Sequence, residues 1–337
     1  MSTRTRLVAL AAATVLLAVA AWVYTANAAK RVRQETTAAA ASSRPGRVDL
    51  DGPGRLVFVT AGAGGGKVAS TGLPSGPVPA DGPREVSGLE CVRFYTAAGS
   101  GVCLTAVRSA VARFYAVMVD ARLRETRRIE LPGAPSRARV SPTGRMVSWT
   151  VFVNGDSYAG LGFSTRTGVL DTRTGALVEN LEAFTLVMKG KVHRPADLNY
   201  WGVTFDHDDN RFYATVSTGG STYLVRGDFA RRRMETVREN VECPSLSPDG
   251  TRVVYKKRVA DGTAIWRLHV LDLRSGRDVE LAETASVDDQ AAWLDDHDVM
   301  YARVRGENTT DVYTVPADGS GTPRPLLRDA RSPAVAG

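Results

Sequence analysis

From Gly54 onward the chain is a succession of short apolar runs separated by turn residues. The runs are too short and too closely spaced for helices, and no stretch carries the period of an amphipathic helix. The best-formed stretch is Cys243-Pro244-Ser245-Leu246-Ser247-Pro248-Asp249-Gly250-Thr251-Arg252-Val253-Val254-Tyr255. It reads as strand, tight turn, strand. Pro presets φ, Asp bonds its own backbone, and Gly takes the positive φ that closes the turn.

Weaker copies of this unit recur roughly every 40 to 60 residues, the period of four-stranded propeller blades. The first unit holds strands at 55–60, 67–71 and 84–87. The second holds 91–96, 102–107, 113–119 and 126–131. The third runs 137–140, the turn Ser141-Pro142-Thr143-Gly144, then 146–152, 167–171 and 177–181. The fourth runs 201–205, a turn at 206–210, then 211–216, 222–226 and 234–238. The fifth is the stretch quoted above, followed by 266–273, Arg274-Ser275-Gly276 and 278–281. The sixth has 289–294, the turn Asp295-Asp296-His297, then 299–304, 311–315 and 324–327. The first unit lacks an innermost strand. The C-terminal Arg331-Ser332-Pro333-Ala334-Val335 aligns with Glu242-Cys243-Pro244-Ser245-Leu246. We therefore expect 332–336 to pair with 55–60 and close the ring, removing the edges of an open stack.

The Ser-Pro-Asp-Gly unit, its following Val-Val-Tyr, and the later Leu268-His269-Val270-Leu271-Asp272-Leu273-Arg274-Ser275-Gly276 resemble the repeats of TolB-like six-bladed propellers. The resemblance covers residues 54–337. It is strongest in the fifth unit and fair in the third. It implies an exported all-β propeller that engages proteins or small ligands through its faces. An anchor and tether, rather than the separate α/β domain of TolB, are expected ahead of the repeats, so the resemblance is taken to describe the fold and puts a transfer of the TolB role in envelope transport in doubt.

Residues 7–24, LVALAAATVLLAVAAWVY, form an unbroken apolar run behind Arg4 and Arg6, with Trp22 and Tyr24 at its outer end. Eighteen residues suit a membrane anchor. Ala26-Asn27-Ala28 is also a small-x-small site for cleavage before Ala29. The expected organisation is a signal anchor or signal peptide over 1–28, a flexible tether over 29–53, and the propeller over 54–337. The propeller would be exported in either case: held at the cell membrane by one span, or secreted after cleavage near Ala28.

The net charge of +7 does not point to nucleic acid. Residues 1–47 hold seven basic side chains and one acid, leaving 36 basic and 35 acidic residues in the body. A basic tail beside an apolar segment faces lipid headgroups. Arg231-Arg232-Arg233 reads as a solvated turn. The expected partners are an envelope protein or a cell-wall or small-molecule ligand, with the chain itself a monomer.

Cys91 and Cys103 flank the apparent turn 95–99. Pairing 94 with 100 sets 91 opposite 103, within reach of a disulfide, and export permits oxidation. Two buried thiols are the alternative. Cys243 is left over as a small buried residue. The acidic turns 206–210 and 295–298 lack the Gly and distal Glu of a calcium loop, and Asp and Asn stabilise turns without metal. Residues 61–68, AGAGGGKV, depart from a phosphate loop at its first Gly and its Ser/Thr. Gly219-Gly220-Ser221-Thr222-Tyr223 fails the nucleophile-elbow pattern, and the four histidines show no zinc spacing. No catalytic, cofactor or metal residues are expected. The default binding site is the central channel, where the innermost strands converge, with Arg93, Arg139, Trp201, Ser245 and Gln290 as candidate lining residues. A propeller enzyme or carbohydrate-active protein working through that channel is the alternative reading.

Overall fold

The computed structural model describes residues 43–62, 64–73, 83–107, 112–153, 164–259, 262, 264–306 and 309–337, together with 14, 17 and 24. The chain divides into two compact units, Met1–Arg44 and Pro45–Gly337. Most of the segment expected to be a signal anchor lies outside the described residues. Among the described residues no helix is long and apolar enough to cross a membrane.

The second unit is a six-bladed propeller. In chain order the innermost strands are Arg93–Ala97, Ala134–Val140, Asn199–Phe205, Glu242–Leu246, Ala292–Trp293 and Ala330–Ala336. Each heads an antiparallel blade with four core strands. Numbered from the closing blade, Ala330–Ala336 is innermost in blade 1 and pairs with Arg55–Thr60, Leu56 opposite Val335 and Thr60 opposite Ala330. The last residues of the chain thus complete the first blade, as the aligned sequence suggests.

The continuous apolar runs follow from burial on both faces. Six core clusters lie among the described residues, one at each blade interface. Alternation along each strand distributes side chains between two of them. In Arg55–Thr60, Leu56 and Phe58 pack on blade 6 while Val57 and Val59 pack on blade 2. In Arg252–Arg258, Val254 faces blade 6 while Val253 and Tyr255 face blade 4. Each fully buried Leu or Phe of this kind contributes about 2–3 kcal/mol.

Three stretches differ from the sequence expectation. Residues 45–53 were counted with the tether, yet Val48 and Leu50 are buried against blades 1 and 2, and Leu50 N–H donates to Ala121 O. The stretch after blade 3 forms the hairpin Thr185–Met188 and Lys191–His193, which extends blade 4 outward through a parallel pairing with Arg233–Glu239. Its Lys189-Gly190 turn has both residues at positive φ, the two-residue hairpin geometry. Blade 6 was expected to begin with a strand over 289–294, but only Ala292–Trp293 pairs.

Candidate functional site

The six innermost strands start at one face of the disc, where the blade-to-blade connections also lie, and end at the other in tight turns. At the starting face the innermost strands of blades 2 to 5, with the segment ahead of blade 6, border a funnel of about 1060 Å³. Trp201 and Trp266 line its walls; Arg137, Glu242, Lys256 and Asp288 line its floor. Beneath, the channel narrows to a void of about 30 Å³ bordered by Arg139, Gln290 and Ser332.

The floor is built by the segment that fails to become a strand. Asp288, Asp289 and Gln290 run into the channel and are held there by other blades. Lys256 Nζ donates to Asp288 Oδ1 at 2.6 Å, and Arg137 Nη2 reaches the same oxygen at 3.5 Å. Arg93 pairs with Asp289 at 3.3 Å. Gln290 Nε2 donates to Val203 O at 3.1 Å and to Pro244 O at 2.9 Å. Arg139 Nη2 donates to Ala291 O at 3.1 Å, with its guanidinium 4.2 Å from the Tyr95 ring centre. Residues 288–291 thereby plug the channel and bind blades 2, 3, 4 and 5 together.

Lys256 is the most enclosed of these cations. Its side chain is 3% exposed, its ammonium lies 4.2 Å from the Trp266 ring centre, and Glu242 stands 3.9 Å away. Glu242 also accepts from Trp266 Nε1 at 3.0 Å. The Asp288 side chain is open to solvent but recessed in the funnel, where partial desolvation raises its pKa; Lys256, Arg137 and Arg93 outweigh this and hold it below the usual carboxylate range. Burial, with Arg137 and Arg331 nearby, presses Arg93 below its ordinary value against the pull of Asp289. The guanidinium stays charged.

The backbone of the innermost strands is bent where they meet the funnel. Gly202, Cys243 and Ser332 have φ of 64°, 50° and 52°, each at a register shift between the innermost strand and its neighbour. Such bulges re-aim the chain. At Cys243 and Ser332 a side chain occupies the left-handed region, which costs on the order of 1 kcal/mol. The bulges precede the Val203 and Pro244 carbonyls that Gln290 binds. Cys243 is free, buried and on the funnel lining; its N–H donates to Thr215 Oγ1.

Of the residues expected in the channel, Arg93 borders both cavities, Trp201 the funnel, and Arg139 and Gln290 the narrow void. Ser245 borders neither cavity: it is 2% exposed, and its carbonyl accepts from Trp293 Nε1 across the blade 5–6 interface. Sequence reasoning missed Lys256, Trp266, Arg137 and Asp288. The first two lie on second and third strands, outside any search of innermost strands. Cys91 and Cys103 form the disulfide, with Cα atoms 5.4 Å apart, but in a different register from the one expected. Ala98-Gly99 is a two-residue turn, so Phe94 faces Cys103. Cys91 reaches Cys103 from the connection ahead of the strand, where Val92 N–H donates to Leu104 O.

The acidic turns hold their own backbone. Asp208 accepts from the Asn210 and Arg211 N–H groups, and Asp295 from those of His297 and Asp298. Among the described residues no group of three or more His, Cys, Asp or Glu could hold a metal ion. At the glycine-rich stretch, Gly65 N–H donates to Gly62 O and Gly66 N–H to Thr60 O, a closed hairpin loop between two strands.

No protein-family model matches the sequence, and no curated protein is similar to it at the sequence level. Solved structures are similar in fold. TolB from Acinetobacter baumannii superposes with a TM-score of 0.57 at 17% identity, covering 84% of this chain and 66% of that one. A chain of the Nidogen/Laminin complex superposes at 0.53 and 12% identity, covering 84% of this chain and 98% of its own. An oligogalacturonate lyase in complex with manganese is more distant, at 0.42 and 12% identity, over 80% and 88% of the two chains. Together with the ring of four-stranded blades closed by the C-terminal strand, the likenesses to TolB and to the Nidogen/Laminin chain give the fold: a six-bladed β-propeller of the TolB-like kind.

Proposed function

We propose that the protein is a binding module of the cell envelope, tethered through its N-terminal apolar segment, whose funnel face receives a protein or smaller ligand. The observation that carries this reading is the funnel itself. It is large enough for a substantial ligand and is lined by charged side chains together with two tryptophans. Its surroundings suit docking: Val107, Phe152, Ile265 and Val304, at the funnel-side ends of their strands, are 42–75% exposed. Capture from native envelope membranes tests the reading. The wild-type chain should retain a stoichiometric partner or ligand, and Trp266→Ala together with Arg258→Glu, both on the funnel lining, should lose it while keeping the fold. Equal capture by wild type and variant would sink it. Fractionation should place the protein in membranes with the propeller open to external protease. Catalysis through the channel is the competing reading. A thermal shift that depends on a divalent cation or a sugar would favour it.

A further inference from the structure

The floor of the funnel contains an ion pair of unusual imbalance. Lys256 and Arg137 have side chains 3% and 13% exposed, whereas the Asp288 side chain between them is 62% exposed. A buried cation demands an anion, because the interior replaces lost hydration poorly. Glu242 stands 3.9 Å from Lys256 and Asp289 adds its charge near Arg137, but the one carboxylate in reach of both cations, Asp288, faces water.

Asp288 is also a poor fit to its site. Lys256 is well served at 2.6 Å, but Arg137 Nη2 meets the carboxylate only at 3.5 Å, and although the Cys243 thiol lies beside the guanidinium, its buried Nε has no hydrogen-bond partner. A guanidinium prefers two parallel bonds to one carboxylate. Asp288 cannot move in to supply them, because Asp289 is tied to Arg93 and Gln290 to two carbonyls. Its side chain, 62% exposed, is the least enclosed part of this segment. The two cations have other contacts. Lys256 rests on the Trp266 ring with Glu242 beside it, and Arg137 Nη1 donates to Ser136 O at 3.1 Å.

We propose that Lys256 and Arg137 form a carboxylate-binding site and that Asp288 occupies it as an internal stand-in, displaced when a ligand carboxylate enters the funnel. The proposal rests on the binding role proposed for the funnel and adds the chemistry of the ligand. A carboxylate not tethered to the chain can settle against both cations, while the rest of the ligand lies between Trp201 and Trp266. The same chemistry is offered by a peptide C-terminus or acidic side chain and by a uronic acid.

The test is calorimetric titration of the full chain with N-acetylglycine, N-acetylglycinamide, glucuronate and glucose. Asp288→Ala and Asp288→Asn should bind a carboxylate probe about tenfold more tightly than the wild type, which must first expel its own aspartate. The neutral analogues should show no such gain, and adding Lys256→Met should abolish it. Preference for N-acetylglycine would assign a peptide source, and preference for glucuronate a sugar acid. Asp288→Asn keeps the side-chain volume and covers misfolding of the alanine variant. If both variants melt like the wild type yet gain no affinity for either carboxylate, the proposal is wrong. Undiminished capture of a funnel-dependent partner in that case would leave the binding role standing alone.

Discussion

The two faces of the disc use acidic residues in opposite ways. On the turn face, Asp171, Asp228, Asp249, Asp272 and Asp318 each accept a backbone N–H from their own turn, two or three residues away. On the funnel face, Asp288 and Asp289 meet side chains from other blades, Arg137 across 151 positions and Arg93 across 196. The first arrangement folds locally and is complete within a few residues. The second exists only once the ring is closed, and it leaves Asp288 exposed and the Arg137 Nε unserved. The difference separates a scaffold from a site: local turn chemistry repeats around the ring, while the contacts of Asp288 and Asp289 join cations of several blades at the funnel.

Breaking the ring should remove both arrangements together, and it is the largest effect expected. Deleting residues 330–337 removes the innermost strand of blade 1, bares the ladder groups of Arg55–Thr60 and uncovers Leu56 and Phe58. The loss is on the order of 5 kcal/mol or more, comparable with the whole stability of an ordinary domain. The truncated chain should aggregate and lose cooperative melting. A soluble monomer with an unchanged melting temperature would mean that the ring does not depend on this closure.

A smaller cut reaches the funnel face alone. The Cys91–Cys103 disulfide closes a loop of sequence separation 12 and fixes the connection from blade 1 to blade 2. Cys91→Ser with Cys103→Ser should cost about 3 kcal/mol in the chain-entropy account. Calorimetry should show the loss in wild type plus reductant and in the double variant alike. Proteolysis should then begin near the start of blade 2 rather than at the turns.

What was legible in the sequence follows the same division. The hairpins were legible because Ser-Pro-Asp-Gly and its relatives carry their own hydrogen bonds. The closing strand was legible because 331–335 repeats the order of 242–246, and the structure shows that the repeat extends to the backbone: Ser332 and Cys243 share a positive φ. The disulfide was legible as a pair of residues but not as a register, since the turn length decides which residues face each other. The plug was hidden. Residues 289–294 have the pattern of a strand, and the cations that hold Asp288 and Asp289 away from one lie on other blades, 32 to 196 positions away.

Single substitutions on the two faces sharpen the contrast further. Asp209 joins neighbouring turns, accepting from Ser141 Oγ at 2.8 Å and from Thr143 Oγ1. Asp209→Ala should cost about 1 kcal/mol and leave ligand binding at the funnel untouched. Lys256→Met should abolish funnel binding and also cost about 3 kcal/mol, because it leaves the buried Glu242 without its cation as well as freeing the exposed Asp288. Paired thermal melts and titrations of the two variants would show whether ligand binding belongs to the funnel face alone.

The smallest effect expected is in the pH dependence of stability, and it again separates an enclosed network from open turns. His269 sits on a third strand with Nδ1 3.2 Å from Asp278 Oδ1, and Asp278 also accepts from Tyr255 and Lys257. Burial lowers the His269 pKa below its ordinary 6.5; Lys257 acts in the same direction, and the attraction of Asp278 and Glu280 does not cancel it. The unfolded chain therefore binds this proton more readily than the folded one, and stability falls as pH drops below about 6.5. Asp249 on the turn face titrates lower. Burial raises its pKa, but the Ser247 hydroxyl, the Thr251 N–H and Arg252 outweigh burial and hold it at about 2. Its contribution is present above the ordinary 3.8 of an aspartate and is lost only as pH falls from there toward about 2. Melting temperature against pH should thus decline in two stages. His269→Asn should flatten the first and spare the second, and Asp249→Asn should lessen the second alone, because Asp171, Asp228, Asp272 and Asp318 are also held below the usual carboxylate range. A single decline shared by both variants would show that the two networks are coupled through the blade and that the division between the faces does not extend to blade 5.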